Sequence, residues 1–256
     1  MTFAGLRHRL TEFLPPLAVR TLRLARTEAA ALGAFLVMAM SGLLFLDLAE
    51  EMAEQGDRGL DYQVLEALRV PGDVGNPIGP WWVEEAAADL TSLGGISVLS
   101  LFTLLAVTHL LLQRHRGAAL RLVLGLIGAV GLSEGLKSVF ERERPPVAYQ
   151  AVETLNASFP SGHALLATVF YLSLGTLVAQ GLTRRREKIW VLGAAVLLAL
   201  TVGLTRVYLG AHWLSDVLAG WCVGAAWAMS LWLAAWALER YGRHREARLA
   251  RQAPPA

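Results

Sequence analysis

The sequence predicts an all-α, polytopic membrane protein with six transmembrane helices. Three observations carry that prediction. Of 256 residues, 55% are hydrophobic and only 17% charged, with a mean hydropathy of +0.46, whereas a soluble domain carries about 25% charged residues. The apolar residues gather in six runs, and a helix needs roughly 20 such residues to cross a bilayer. Lys and Arg are shared unevenly between the connections. The same composition excludes a disordered chain, because apolar content this high must be buried in protein or lipid. It excludes a disulfide scaffold as well, since Cys222 is the single cysteine. A net charge of +2 is too small to predict a nucleic-acid partner.

The elements follow in chain order. Residues 1–28 read as a basic amphipathic segment lying on the inner leaflet, broken at Pro15 and Pro16. No secretory signal peptide is expected. The first run, 29–46, is uncharged. An acidic outer loop follows, about 47–89, in which 59–69 predicts a short amphipathic helix while Pro71, Pro77 and Pro80 prevent a continuous one. It is expected to cap the bilayer surface, with Trp81 and Trp82 at the interface. The remaining runs are 90–113, 117–135, 164–183, 189–205 and 217–238. The third and fifth are short or interrupted by charge. The domain is therefore expected to span 29–238, followed by a basic cytoplasmic tail, 239–256, expected to fray after Tyr241. Gly131-x3-Gly135 and Gly220-x3-Gly224 are expected to let helices pack closely within the monomer.

Lys and Arg are retained on the cytoplasmic side of a membrane. With six spans, both termini and the second and fourth loops share one side, and that side holds 17 of the 23 cationic residues. Both termini are therefore expected in the cytoplasm. The six on the opposite side are Arg58, Arg69, Lys137, Arg142, Arg144 and Arg206.

Four of those six, with two histidines, fall into three short clusters. The first runs from Lys137 to Arg144-Pro145 at the outer end of the third span. Phe159-Pro160-Ser161-Gly162-His163 opens the fourth. Thr205-Arg206 through His212 to Asp216 joins the fifth to the sixth. The alternation of spans puts all three on one face, as a composite site requires.

Lys137, Arg144 and Arg206 would supply fixed positive charge, and Arg can grip phosphate bidentately. Ser161 and Gly162 open a helix, whose free N–H groups favour an anion. The sum is a cradle for a phosphoryl group. His212 and Asp216 are spaced i, i+4 and would share a helix face. A carboxylate on one ring nitrogen leaves the other as a nucleophile. His163 then serves as general acid and afterwards as base for water. Nothing in this arrangement calls for a metal or a cofactor. Glu134, one turn before Lys137, reads as its salt-bridge partner. Glu141, Arg142 and Glu143 read most simply as a solvated run, with Arg142 a weaker candidate for substrate contact. Tyr208 and Trp213 read as packing residues. His8, His109, His115 and His244 are given no role.

These clusters resemble the signature of the type 2 phosphatidic acid phosphatase and vanadium haloperoxidase superfamily: Lys-x6-Arg-Pro, Pro-Ser-Gly-His and Ser-Arg-x5-His-x3-Asp. They cover residues 137–216. Thr205 stands where that family usually has Ser, which keeps the hydroxyl. The membrane branch is similar in having six helices and a site at the outer face. The resemblance implies a membrane lipid phosphatase acting through a phosphohistidine. His212 would attack phosphorus, Asp216 orient it, and His163 act as acid. Lys137, Arg144, Ser161, Gly162 and Arg206 would bind phosphate. Expected substrates are undecaprenyl diphosphate, phosphatidylglycerophosphate or phosphatidic acid, reached from the bilayer with no obligate protein partner. Two alternatives stay open: a lipid phosphotransferase using the same histidine, and a polyprenyl-phosphate carrier that binds without catalysis. The basic inner loops and Ala-rich composition suggest a bacterial inner membrane.

Overall fold

A computed structural model describes residues 16–55, 59–152 and 156–252. Helix α1 spans Pro16–Gln55, and a short α2 spans Leu60–Ala67. Strands β1 (Arg69–Val70) and β2 (Asp73–Pro77) then form a small antiparallel hairpin that pairs Arg69 with Pro77. Helices α3 (Trp81–Ser92), α4 (Ile96–Leu112), α5 (Arg116–Phe140), α6 (Gly162–Gly181), α7 (Arg185–Tyr208) and α8 (Leu214–Gln252) complete the chain. Among the described residues, five helices are long and apolar enough to cross a membrane, and α3 and α4, bent by 49° at their break, bring the number to six when the pair is counted as one span. The chain is a polytopic membrane protein.

The bundle is built around α6. In its apolar stretch 56% of residues are buried against protein, compared with 6% in α1. Leu165, Leu166, Ala167, Val169, Phe170 and Tyr171 fill the centre with Leu99, Ala129, Ala195 and Val202 from α4, α5 and α7. Close packing of this kind needs small residues at the crossings. Gly220 and Gly224 of α8 meet that need: a Cβ at either would come within 2.7–2.8 Å of the Ser161 or Leu165 carbonyl oxygen on α6. Gly131 and Gly135 do not, since a Cβ there would meet nothing within 4 Å. The expectation of close packing holds for one pair and fails for the other. Leu43, Leu44, Leu104, Leu105, Trp190 and Leu197 point outward, as side chains facing lipid do.

Several boundaries differ from those expected. Pro16 opens α1, as proline is tolerated in a first turn; the expected segment before it, residues 1–15, lies outside those described. Helix α8 runs to Gln252, so helix continues where a frayed tail was expected. The second span starts early, at Trp81, and breaks at Leu93-Gly94-Gly95. Gly94 explains the break locally: a Cβ there would lie 2.3 Å from Val202 and 3.1 Å from the His163 carbonyl oxygen. The hairpin was not expected, although Pro71-Gly72 is a turn signal and Gly72 takes φ +87°.

Residues 59–80, within the loop expected at 47–89, form a cap over one end of the bundle. Leu65 of α2 packs with Tyr62, Tyr149 and Trp213. Arg69 is buried and ties the cap down, donating to the carbonyls of Tyr208 (2.9 Å) and Tyr149 (2.6 Å). Beneath the cap, Phe45, Phe140 and Phe159 stack edge and face, with centroids 5.0–6.1 Å apart. That cluster supports the loop leading into α6.

Candidate active site

All three sequence clusters converge under the cap, at one end of the bundle. Lys137 sits in the last turn of α5, where Glu141 ends the helix in a left-handed conformation at φ +43°. Its ammonium lies 3.7 Å from Glu134, so the expected ion pair forms. It also lies 3.6 Å from where a Cβ on Gly162 would be. A side chain at position 162 would thus intrude between the lysine and the first turn of α6. Ser161 is the residue before that turn. Its N–H donates to the Asp216 carbonyl (2.9 Å), which fixes the α6 N-terminus against α8.

His212 does not lie on a helix face with Asp216, as their spacing suggested. It lies in the turn between α7 and α8, two residues before Leu214 opens α8. Asp216 reaches back from the first turn of α8, and its Oδ2 is 3.3 Å from His212 Nδ1. The same oxygen accepts from the Trp213 N–H (2.9 Å) and the Ser158 hydroxyl. With Nδ1–H donating to the carboxylate, the free lone pair is on Nε2. Arg144 Nη1 stands 3.3 Å from that nitrogen and 2.7 Å from the Ala211 carbonyl it donates to. Arg144 Nε donates to the Asn156 carbonyl at 2.8 Å. These bonds hold the guanidinium beside the imidazole.

Arg206 enters from the last turn of α7, buried, with Nη1 3.4 Å from the Thr91 hydroxyl of α3. Its Nε and the Ser161 hydroxyl are both buried, and neither has a hydrogen-bond partner among the described residues. Buried polar atoms are rarely left so. Both belong to the set expected to hold an anion, and an oxyanion would satisfy each. His163, in the first turn of α6, faces Arg206, His212, Lys137 and Arg144, while Gly95 at the break of the second span approaches its Nε2. The eight expected site residues therefore share one site.

Burial drives the electrostatics of the loop residues. His212 is 2% exposed. Loss of solvent pulls its imidazole down to about 4, with Asp216 opposing and Arg144 and Arg206 adding to the fall. Arg144 is lowered from its ordinary value by burial. Arg142 behaves differently: burial disfavours its charge, yet Asp216 and Asp61 outweigh burial and raise it.

Arg142 is the main correction. It is neither part of a solvated run nor turned toward a substrate in the cradle. It is 8% exposed and donates to Asp216 Oδ1 at 2.6 Å, on the side away from His212. The left-handed turn at Glu141 leaves Glu141 in solvent and aims the next residue inward. Asp61 and Ser158 were also missed. Ser158 stands just before the Phe159-Pro160-Ser161-Gly162-His163 run, where proximity was the only available signal. Asp61 comes from the outer loop and had none. Trp213 is a packing residue, as expected, buried with its Nε1–H on the Glu143 carbonyl at 3.0 Å. Tyr208 is likewise structural, donating to the Ile78 carbonyl at 2.8 Å.

Residues 118–240 match the family model of the PAP2 superfamily. Phosphatidylglycerophosphatase B of Bacillus subtilis (strain 168) is 30% identical over 146 residues, 56% of this chain and 70% of that relative. An undecaprenyl-diphosphatase of Sulfolobus acidocaldarius is 34% identical over 126 residues, 46% of this chain and 57% of that relative. The crystal structure of a transmembrane PAP2 type phosphatidylglycerolphosphate phosphatase from Bacillus subtilis superposes with a TM-score of 0.69 at 27% identity, covering 76% of this chain and 93% of the other. On these matches, and on the three motifs gathered in one site, the chain belongs to the PAP2 superfamily.

Proposed function

We propose that the chain is an integral membrane lipid phosphatase, hydrolysing a phosphate monoester or diphosphate of a membrane lipid through a phosphohistidine intermediate. The observation that carries this reading is the pairing of His212 with Asp216 beside Arg144, together with the buried Ser161 hydroxyl and Arg206 Nε, which have no hydrogen-bond partner among the described residues. The Nε2 lone pair attacks phosphorus, and the bond from phosphorus to the leaving oxygen breaks. His163 protonates that oxygen. Lys137, Arg144, Arg206, the Ser161 hydroxyl and the N–H groups at Gly162 stabilise the charge spread over the phosphoryl oxygens. Water then attacks, His163 takes its proton, and the P–N bond returns its electrons to the imidazole. No step draws on a metal, so activity is expected to persist in EDTA.

The family and the names of the two relatives support a lipid phosphate substrate. Undecaprenyl diphosphate, phosphatidylglycerophosphate and phosphatidic acid all present a terminal phosphate on an apolar anchor, and the cradle grips only the phosphate. Undecaprenyl diphosphate is the favoured candidate. The cation distribution supports cytoplasmic termini and a site facing the exterior or periplasm of a bacterial inner membrane. Phosphate release by purified protein from a panel of these lipids tests the reading.

Two measurements probe the chemistry. His163→Ala should lose most of its activity on lipid alkoxide leaving groups and far less on an activated aryl ester, which departs without a proton. Equal losses on both would remove His163 from the acid role. Because burial holds the His212 imidazole down to about 4, the nucleophile stays neutral well below an ordinary histidine's range near 6.5. The acid limb of kcat/KM, corrected for ionisation of the substrate phosphate, should therefore fall below pH 6. A limb at ordinary histidine values would contradict it.

A further inference from the structure

Asp216 divides its two oxygens. Oδ2 faces His212, with Ser158 and the Trp213 N–H, while Oδ1 faces Arg142 at 2.6 Å. Arg142 continues outward. Its Nη2 donates to Asp61 Oδ2 at 2.8 Å, and its Nη1 donates to the Ser215 hydroxyl at 2.7 Å. Asp61 lies in the first turn of α2, in the cap. Its Oδ1 accepts the Ser215 N–H at 2.8 Å, and its Oδ2 also accepts the Ser215 hydroxyl. One carboxylate from the outer loop therefore holds both the N-terminus of α8, which carries Asp216, and the arginine that holds Asp216. The three side chains are 13%, 5% and 0% exposed along this path.

We infer that Asp61 and Arg142 are positioning residues of the reaction, and that through the chain Asp61–Arg142–Asp216 the cap sets the carboxylate that orients His212. The inference rests on the reading of His212 as nucleophile. A carboxylate paired with one arginine in a buried site gives much of its charge to that arginine, leaving less to support the imidazolium-like nitrogen that forms on attack. Asp61 shares the guanidinium and so returns charge to Asp216. A bond to Oδ1 also stops the carboxylate from rotating away from Nδ1. The Arg142 guanidinium lies over Trp213, 5.6 Å from the ring centroid, and Trp213 packs in turn against Leu65 of α2.

The two residues carry opposite charge, so their removal acts on His212 in opposite directions. The other ionisable groups facing His212 are Asp216 of α8, Arg144 of the loop, Arg206 of α7 and His163 of α6, and these are unchanged. Arg142→Gln should move the acid limb of kcat/KM to higher pH, and Asp61→Asn should move it to lower pH. Each should lower kcat about tenfold or more, equal to roughly 1.4 kcal/mol in the barrier, with KM within about twofold because neither residue meets the phosphate. Asp61→Glu, which keeps the charge, should recover part of kcat. The double variant should lose less than the product of the two single losses, since Asp61 acts in part through Arg142 and in part directly on Ser215.

Limbs that both stay at the wild-type pH, or losses that simply multiply in the double variant, would overturn the proposal. Should Arg142→Gln fail to fold, the limb and kcat of Asp61→Asn beside Asp61→Glu decide it alone. His212→Ala assayed in the same preparations separates the two readings. A silent His212→Ala beside a fully active Asp61→Asn with an unmoved limb defeats only the positioning role. An active His212→Ala defeats the phosphohistidine itself.

Discussion

His212→Ala is expected to release no measurable phosphate from any lipid phosphate that the wild-type protein hydrolyses. The loss should be on the order of 10³-fold or more, because a missing nucleophile closes the two-step route and leaves only charge stabilisation. The cradle would remain. Lys137 is held by Glu134, Arg144 by the Ala211 and Asn156 carbonyls, and Arg206 approaches Thr91, none of which depends on the imidazole. The variant should therefore still bind vanadate or inorganic phosphate, and the effect should fall on kcat and spare KM. A radiolabelled lipid phosphate should mark the wild-type chain transiently and leave the variant unmarked. Turnover by His212→Ala within tenfold of wild type would sink the mechanism. Unchanged lipid phosphate binding, with no phosphate released by either protein, would instead indicate the carrier reading.

Gly210→Ala should produce the largest loss of stability of any single methyl addition near the site. Gly210 takes φ +67°, a left-handed conformation that costs an alanine roughly 1–2 kcal/mol. The added Cβ would lie 2.1 Å from the Tyr149 carbonyl oxygen and 2.3 Å from Arg69 Nη2. The guanidinium can swing aside, but the carbonyl is backbone and must move with its loop. Doing so breaks the 2.6 Å bond by which Arg69 ties the cap to that carbonyl. Overpacking adds about 1–3 kcal/mol, so a total near 3 kcal/mol is expected, or a melting temperature roughly 5–10 °C lower in detergent. Turnover should fall too, because His212 is two residues away. Gly131→Ala provides the control: its Cβ meets nothing and its effect should be close to nil. Equal melting temperatures for both variants would show that the turn can relax.

Much of this was legible in the sequence, for physical reasons. Hydropathy reports burial in lipid whatever the neighbours are, so the spans could be placed from composition alone. The expected site stood out because charge is rare in such a chain, and a charged side chain at a span end, such as Lys137, Arg144, Arg206 or Asp216, needs a partner or a purpose. What the sequence hid depended on direction and distance. Arg142 sits between two glutamates and reads as a wet run, because no spacing reveals that Glu141 turns left-handed and aims Arg142 inward. Asp61 meets Ser215 across 154 positions, and an acidic loop offers many equivalent carboxylates. The break at Gly94-Gly95 was invisible for a different reason. A run of apolar residues scores the same whether straight or bent by 49°, and only the proximity of His163 and Val202 shows why glycine stands there.

The central position of α6 has a consequence for how the protein should respond to its surroundings. Among the candidate spans, the helix most enclosed by protein is also the one whose first turn enters the proposed cradle. Stiffness of the bundle and aim of the cradle are therefore a single mechanical quantity. Bilayer thickness or detergent acts first on the lipid-facing helices, such as α1, and reaches the chemistry only after passing through that axle. Mild perturbation from outside should leave turnover almost unchanged. A void opened at Val169, in the axle itself, should dull catalysis well before the fold is lost.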